Sequence, residues 1–328
     1  MSSLLRRIAT SLSIVAAAGI SAPMASLAQE KPVVRIGVQP NILPEVIMRE
    51  RQTLEKKYAD RFTVKWVEMT HAAPAIEALV ADSIDITDAG VLPLITGKAR
   101  GANYFAVADA VGDVTGIVVR ADRKINSVAD LKGTTIAFPG KGSWQYGLLL
   151  MALDGTNVKE SDLKLVRSRF PEMPVLLRKG SVDGFAGAEP FMSSVLATGE
   201  AKLLFRPSSI LQQKEGTLIS GHVVARGEFI ERHPDLLRLI LKEFADTSRF
   251  IRNNPDEAGQ LFAKIFPGVV TQEVFASAVK NGLMYLEDVK PRVGDWVKFI
   301  KATNRYGLTE IANPDEFAKS YIRPEFVD

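Results

Sequence analysis

The sequence predicts an α/β protein of two lobes, in which each lobe is a mostly parallel sheet flanked by helices and two crossing strands join the lobes. Short β-branched and apolar runs alternate with helical patterns from residue 33 to residue 205, which implies parallel sheets covered on both faces. Two segments, Leu79–Asp85 and Leu177–Asp183, resemble each other and indicate two lobes built on one plan. The last third of the chain is mostly helical, so we expect no third sheet.

The N-terminus has the pattern of a secretory signal peptide. Arg6 and Arg7 precede an apolar run, Ile8–Ile20, and small residues close the segment at Ser26–Ala28. Cleavage is expected after Ala28, and the apolar run is too short for a membrane span, although a retained anchor is the alternative. Because the chain has no cysteine, lipoprotein attachment and disulfides are excluded. We therefore expect an exported, periplasmic protein.

The composition excludes several classes of partner. The formal net charge of the 328-residue chain is +3, and removal of Arg6 and Arg7 with the leader leaves +1. A nearly neutral chain without a basic block is a poor partner for nucleic acid or for an anionic membrane surface. The mature chain is long enough for two domains, and we expect it to be a monomer.

The first lobe is predicted to alternate strands and helices. In chain order they are strand Val33–Val38, helix Ile42–Tyr58, strand Phe62–Val67, helix Ala73–Ala81, strand Ile84–Ile86, a helix from Gly90 to Gly97, and strand Tyr104–Ala108. Ligands bind at the carboxyl ends of such strands. The loops at these ends hold the first candidate ligand-binding residues: Gln39, Asn41, Thr70, His71 and Gly90.

The second lobe follows the same scheme. Its predicted strands are Thr115–Val119, Thr134–Phe138, Leu163–Val166, Val182–Ala186 and Lys202–Phe205, and its predicted helices are Ser143–Leu153, Pro174–Lys179 and Pro190–Ala197. A glycine-rich loop, Pro139–Gly142, leads into the helix that Ser143 caps. Backbone N–H groups at a helix start suit an anion, so Ser143 is a candidate anion donor. An ordinary serine cap is the alternative.

The C-terminal part is predicted as a returning strand followed by helices that cover the first lobe. The strand Leu218–Ala225 contains His222, which could face the cleft. The helices are Asp235–Asn253, Pro255–Ile265, Gln272–Gly282 and Arg292–Thr303, and Asn254 and Asn313 are expected caps before proline-led helix starts. The predicted organisation is a signal peptide at 1–28, lobe 1 at 29–118 and 219–328, and lobe 2 at 119–218. Two crossings make a hinge, which is typical of proteins that close on a ligand.

Short segments of the chain occur in the order in which one family of binding proteins has them. They are Arg35–Pro40, Ala75–Asp85 with Gly90 and Pro93, Val118–Asp122, Val128–Gly133, Lys141–Ser143, Gly180–Gly184, Glu189–Pro190 and Phe229–Pro234. On these segments the chain resembles the substrate-binding proteins of ABC importers, in the branch for aliphatic sulfonates, taurine and nitrate. The resemblance implies the two-lobed type II periplasmic-binding-protein fold. It also implies a protein that traps a small molecule by hinge closure and delivers it to a membrane permease with its ATPase.

The resemblance leaves the ligand open. The best class is a small organic anion, a sulfonate or a carboxylate that carries an amine or an aromatic group. Sulfonate and taurine relatives usually have Trp where this chain has Ala188, and Trp144 could supply that wall or be an ordinary packed aromatic. Glu189 could pair with an amine of the ligand or add favourable charge at a helix start. The alternative ligand is a thiamine or pyrimidine precursor, or another heterocycle.

Motifs argue against an enzyme. The three histidines, His71, His222 and His233, have no metal-ligand spacing. There is no cysteine nucleophile, no Gly-x-Ser-x-Gly elbow and no Walker loop. A pyrimidine-precursor synthase of the same fold is the alternative enzyme class, and export argues against it. We therefore expect no catalytic residue, no metal and no cofactor.

Overall fold

The computed structural model describes residues 30–112, 114–209, 219–284 and 289–327. The predicted leader and its cleavage site lie outside these residues. The strands are β1 (Val33–Val38), β2 (Thr63–Glu68), β3 (Ile86–Gly90), β4 (Tyr104–Gly112), β5 (Thr115–Arg120), β6 (Thr135–Phe138), β7 (Lys164–Arg167), β8 (Gly184–Ala188), β9 (Ala201–Phe205) and β10 (Ile219–Arg226). The helices are α1 (Leu43–Arg51), α2 (Thr53–Tyr58), α3 (Ala72–Val80), α4 (Val91–Ala99), α5 (Trp144–Leu153), α6 (Met173–Arg178), α7 (Ser193–Leu196), α8 (Gly227–Arg232), α9 (Pro234–Asn253), α10 (Pro255–Ile265), α11 (Gln272–Lys280), α12 (Val293–Arg305) and α13 (Pro314–Tyr321).

The strands form two five-stranded sheets built on the same plan. The order is β2-β1-β3-β10-β4 in the first sheet and β7-β6-β8-β5-β9 in the second. β1 is parallel to β2 and β3, and β6 is parallel to β7 and β8. β10 and β5 run antiparallel to both of their neighbours, so the other strands of each sheet all point one way. The predicted α/β fold, with two mostly parallel sheets flanked by helices, is confirmed.

The chain passes between the two sheets twice. It leaves the first sheet at Gly112, the end of β4, and enters the second at Thr115, the start of β5. It returns to β10 across 210–218, which lie outside the described residues. β5 pairs with β8 and β9, so 115–118, which the sequence assigns to lobe 1, lie in the second sheet. The division into lobes at residues 118 and 218 stays a prediction.

Each of the two sheets has an aspartate at the equivalent position before its third parallel strand from the edge. Asp85 precedes β3, and its carboxylate accepts the backbone N–H of Arg35 on β1 at 2.9 Å. Asp183 precedes β8, and its carboxylate accepts the backbone N–H of Thr135 on β6, also at 2.9 Å. The sequence similarity between the two segments that end in these aspartates therefore reflects a repeated structural unit.

Three helix predictions differ from the structure. The single helix predicted over Ile42–Tyr58 is divided into α1 and α2, because Gln52 between them has a left-handed backbone with φ of 53°. The helix predicted over Pro190–Ala197 is reduced to the single turn of α7. Asn313 caps its helix, whereas Asn254 donates its side-chain amide back to a carbonyl of α9 and leaves α10 without a side-chain cap.

The C-terminal helices cover the first sheet and also reach the second half of the molecule. α9 packs on α1, and α12 packs on α4 and α13. Phe262 of α10 and Phe266, directly after it, pack against Phe191, which follows β8, with ring centroids 6.0 and 5.5 Å from that of Phe191. These helices therefore bridge the two sheets rather than covering the first alone. None of the described helices has the length and apolar character that a membrane span needs.

Candidate functional site

A cavity lies between segments of the two sheets. The first sheet and its helices contribute Gln39, Asn41, Ile42, His71, Ala72, Asp88, Gly90, Val111, Ser220 and Gly221, and the second half contributes Val114, Thr115, Trp144, Gln145 and Phe170. Among the described residues, those that line the cavity include no lysine or arginine. An anion held here must therefore be stabilised by neutral donors.

Four helices begin at the cavity. Ile42, His71 and Gly90 line it and occupy the positions before α1, α3 and α4, and none of these helices has a side-chain cap. Trp144, the first residue of α5, lines it from the other half. First-turn N–H groups have no intrahelical partner, and the helix dipole gives them positive partial charge. The cavity therefore has a set of positively polarised backbone donors.

Ser143 caps α5 but does not line the cavity. Its hydroxyl donates to the Gly140 carbonyl at 2.8 Å and accepts the Tyr146 N–H at 3.1 Å. The hydroxyl is therefore occupied within its own turn, as in an ordinary cap. The donors that α5 offers to the cavity are the backbone N–H groups of Trp144 and Gln145, and anion contact by the Ser143 side chain stays a prediction.

Trp144 is a wall of the cavity and also a link between the two halves. It is 2% exposed, its Nε1–H donates to Thr115 Oγ1 at 3.1 Å, and its ring packs edge-on against Phe299 of α12 with centroids 5.2 Å apart. A Cβ atom at Gly90 would lie 2.6 Å from Trp144 Cβ. Glycine therefore permits the close approach of the two halves at this point.

Gln39 and Asn41 follow β1 and line the cavity next to a buried carboxylate. The Gln39 side-chain amide donates to the Asp88 carbonyl at 2.6 Å and to Asp88 Oδ2 at 3.0 Å. Asn41 is 8% exposed, and its Oδ1 has no hydrogen-bond partner among the described residues. Gln39 thus orients Asp88, whereas Asn41 presents an unused acceptor.

His71 lines the cavity opposite the loop that precedes α5. Its Nδ1 lies 2.9 Å from the hydroxyl of Thr70, which is itself exposed and does not line the cavity. A Cβ atom at Gly140 would lie 3.3 Å from His71 Nε2. Burial, and then the charge of Arg167, lower the pKa of His71 below its ordinary value. When Nδ1 accepts from Thr70, the neutral ring carries its proton on Nε2 and can donate it to an anion.

The structure does not bring Glu189 or His222 to the cavity. Glu189 pairs with Arg206 at 2.9 Å through one oxygen and accepts a backbone N–H of α7 through the other. His222 lies within the first sheet, where Nδ1 is 2.8 Å from Asp109 and the ring packs on Trp296 with centroids 4.2 Å apart. The described part of the chain contains no cluster of three or more His, Cys, Asp or Glu side chains that could hold a metal ion.

Asp88 and Ser220 are cavity residues that sequence reasoning missed. The predicted strand stops at Ile86, whereas β3 starts there and continues through the fully buried Thr87 and Asp88. A carboxyl group inside a short apolar strand is a usable signal, because such groups are rarely buried without a function. Ser220 gives no comparable signal, since a serine in a strand is common on either face.

Comparison with known families matches residues 62–258, more than half of the chain, to the model described as NMT1/THI5 like. The chain belongs to the NMT1/THI5-like family. A protein of Escherichia coli (strain K12) named as an aliphatic sulfonates-binding protein is 29% identical over 70% of each chain. A protein of Bacillus subtilis (strain 168) with the same name is 27% identical over 80% of this chain and 76% of its own. The taurine-binding periplasmic protein of Escherichia coli is 25% identical over 68% of each chain.

Solved structures of related fold cover most of this NMT1/THI5-like chain. The alkanesulfonate-binding protein SsuA from Xanthomonas axonopodis pv. citri, solved with MOPS bound, has a TM-score of 0.73 at 21% identity and covers 89% of this chain and 99% of its own. The Escherichia coli periplasmic aliphatic sulphonate-binding protein SsuA has a TM-score of 0.67 at 25% identity, with 89% and 98% covered. The desulfurization enzyme DSZB shares the fold, with a TM-score of 0.61 at 15% identity over 90% of this chain and 97% of its own. The periplasmic-binding-protein fold predicted by resemblance is therefore confirmed, and it also occurs in an enzyme.

Proposed function

We propose that the protein is the periplasmic substrate-binding component of an ABC importer. It captures a small organic anion, a sulfonate or a carboxylate, in the cavity between its two lobes by hinge closure. It then delivers the anion, as a monomer, to a membrane permease with its ATPase, and it catalyses no reaction and uses no cofactor. Relatives named as sulfonate- and taurine-binding proteins support this function.

The observation that carries the proposal is the convergence of helix starts on one cavity that lacks cationic side chains. α1, α3 and α4 reach it without side-chain caps, and α5 reaches it from the other half. Each start offers N–H donors and about half a positive charge. Among the described residues no side chain caps α1, α3 or α4, so an anionic group of the ligand is the natural partner of their first-turn donors.

The proposed cellular route depends on the N-terminus. The leader directs export and is cleaved after Ala28, and the mature chain folds into lobe 1 (29–118 and 219–328) and lobe 2 (119–218). The periplasmic location in the name of the taurine-binding relative supports this placement.

A heterocycle such as a thiamine or pyrimidine precursor is the second candidate ligand. Trp144 and Phe170 line the cavity, and aromatic faces stack well on flat rings. A neutral ring, however, leaves the polarised donors of the helix starts without a partner. The helix starts therefore favour the anion over the heterocycle.

The test removes one donor at a helix start while it preserves the fold. Ala72 is the first residue of α3 and lines the cavity, and the preceding His71 has the extended backbone that proline accepts. Proline is well tolerated at this position and lacks only the N–H. Loss of a charge-assisted hydrogen bond of about 1.5–3 kcal/mol predicts that Ala72→Pro weakens binding of ethanesulfonate or propionate roughly 10- to 100-fold. Isothermal titration calorimetry on the mature chain from Gln29 measures this change.

The matched control is Gln272→Pro, which places proline at the first residue of α11, away from the cavity. It should bind the same anions as tightly as the wild type. Equal affinity of Ala72→Pro and the wild type would show that the α3 terminus does not hold the anion. Binding of a pyrimidine precursor but of no sulfonate, carboxylate or nitrate would replace the anion by the second candidate.

A further inference from the structure

A second pocket lies beside the cavity, at the carboxyl ends of β2, β6 and β7, and we call it the outer pocket. Both halves of the molecule contribute to it, and its polar lining residues are Thr70, His71, Arg167, Ser168, Arg169 and Glu172. His71 lines the cavity as well, so one imidazole stands between the cavity and the outer pocket. A group attached to a ligand in the cavity therefore has the outer pocket as its neighbour.

Gly140 keeps the space between His71 and Arg167 open. A Cβ atom at this position would lie 3.3 Å from His71 Nε2 and 3.6 Å from Arg167 Nε. The backbone of Gly140 has φ of 144°, a conformation that glycine adopts far more readily than other residues. The imidazole and the guanidinium group therefore face the same gap. Both can donate an N–H there when the neutral imidazole carries its proton on Nε2.

The outer pocket carries positive charge that its own described residues do not balance. Arg167 and Arg169 are exposed, and neither guanidinium group has a hydrogen bond or an ion pair with another described residue. Glu172 is the carboxylate among the lining residues, and its Oε2 accepts from the Arg169 backbone N–H at 3.0 Å and from the Ser168 hydroxyl at 3.2 Å. Two guanidinium groups against one carboxylate leave a net positive charge. This charge acts on the cavity wall, because burial and then the charge of Arg167 lower the pKa of His71.

We propose that the outer pocket is a second anion subsite, so that the protein selects ligands with two anionic groups joined by a short chain. This inference rests on the proposed function, because the first anionic group must lie at the helix starts of the cavity. The second group, a carboxylate or a further sulfonate, accepts from Arg167, Arg169 and Nε2 of His71. A guanidinium group presents a planar fork of N–H donors that matches the two oxygens of a carboxylate. Short sulfo-carboxylates and disulfonates are the chemical class that meets both conditions.

The exposed position of the two arginines determines how the second subsite responds to salt. A single exposed ion pair contributes little to binding, because water and dissolved ions screen it, so Arg167 and Arg169 must act together. The helix starts lie inside the cavity, where Trp144 and its neighbours are buried, and salt screens them less. Added salt should therefore weaken the preference for a second anionic group more than it weakens the binding of the first.

Calorimetry of the mature chain tests the inference with sulfoacetate, 3-sulfopropionate and 4-sulfobutyrate, each compared with its own carboxamide. Each acid and its amide have nearly the same size and differ in the charge of one group. At pH 7 and low salt the wild type should bind at least one of these acids about fivefold more tightly than its amide, and about 0.5 M NaCl should at least halve this ratio. A double variant, Arg167→Gln with Arg169→Gln, should bind each acid and its amide with nearly equal affinity.

Two further variants separate charge from location. Arg167→Lys with Arg169→Lys keeps both charges and should retain part of the preference for the acid. The matched control is Arg49→Gln, because Arg49 lines a different pocket beside the cavity and pairs there with Glu68 at 3.1 Å. It should keep the wild-type ratio between acid and amide.

Equal binding of every acid and its amide by the wild type would overturn the inference and leave the importer function standing. A preference that survives in the double glutamine variant, or that is lost equally in the double lysine variant, would overturn it in the same way. Failure of ethanesulfonate, propionate and all three sulfo-acids to bind at all would overturn the proposed function as well.

Discussion

Asp88 illustrates how a single residue links the stability of the empty protein to the chemistry of its cavity. Its carboxyl group is fully buried, Oδ2 accepts from Gln39, and a further hydrogen bond joins the carboxyl group to that of the buried Glu45. Such an arrangement lowers the stability of the ligand-free state, because the charged form loses its hydration without a cation to replace it.

Asp88 should make the empty protein less stable at neutral pH than at mildly acidic pH. Its pKa is about 7 in the folded state and 3.8 without the fold, so between these values the native state binds more protons than the unfolded state. The free energy of unfolding therefore falls as pH rises through this window, by up to about 4 kcal/mol. Asp88→Asn should reduce this slope, to which the buried Glu45 also contributes, and should be more stable than the wild type at pH 8. Urea unfolding of ligand-free protein at pH 5 and pH 8 measures both effects, and parallel pH slopes for the two proteins would contradict the prediction.

The cavity residues that sequence could identify are those fixed by the ends of strands. Gln39 and His71 each follow a parallel strand and Gly90 ends one, so the topology alone takes them to one edge of the sheet. His222 lies inside a strand, where a shift of one residue in register moves a side chain to the opposite face of the sheet. Its contacts with Asp109 and Trp296 fix the direction of the His222 side chain. Glu189 is removed from the cavity by Arg206, a partner that no local pattern indicates.

At the level of elements, the same set of hydrogen bonds occurs in both sheets. In each sheet an aspartate in a loop is bonded to a parallel strand and to the crossing strand. The backbone N–H of Arg226, at the end of β10, donates to the Asp85 carbonyl at 2.9 Å. Arg120, at the end of β5, makes the same contact with Asp183 at 2.9 Å. Each aspartate thus connects the crossing strand, which comes from the other half of the molecule, to the centre of its own sheet. The order of the elements was predictable because this unit occurs twice in the sequence.

The boundaries of elements were less predictable than their order. The segment around Gln52 has no glycine or proline, so nothing in the sequence marks the left-handed residue that ends α1. β4 extends to Gly112, four residues past its prediction, because β10 pairs along its whole length. Both differences are decided by tertiary contacts, which a local pattern does not contain.

The two equivalent aspartates should differ in their contribution to stability. The Asp85 side chain is 4% exposed and pairs with Arg35 at 2.7 Å and Arg226 at 2.9 Å, and these bonds hold its pKa below the ordinary value although burial opposes them. Asp183 is 14% exposed and pairs with Arg123, which is 57% exposed. Asp85→Asn should lower the free energy of unfolding by about 3–5 kcal/mol, and Asp183→Asn by about 1–2 kcal/mol. Urea unfolding at pH 7 measures both, and equal losses would argue against the difference in burial as its cause.

At the scale of the whole molecule, the two halves touch at points where glycine faces a side chain from the opposite half. Gly90 meets Trp144, and Gly147 of α5 meets Leu92 of α4, where an added Cβ atom would lie 2.6 Å from the Leu92 Cδ2. Small residues at such points allow helix starts from both halves to reach one ligand. A protein that opens and closes needs these contacts in the closed arrangement only, which makes them a means of testing closure separately from folding.

Gly90→Ala should weaken ligand binding more than tenfold and leave the stability of the empty protein nearly unchanged. Gly90 has φ of −67°, which alanine adopts without strain, but its new Cβ would lie 2.6 Å from Trp144 Cβ across the cavity. Only the arrangement with the halves in contact is penalised. Small-angle X-ray scattering should show a smaller radius of gyration on ligand addition in the wild type and a reduced change in Gly90→Ala. The control is Gly294→Ala, an exposed position where an added Cβ meets no atom within 4 Å. Full compaction and unchanged affinity in Gly90→Ala would show that ligand capture does not require this contact.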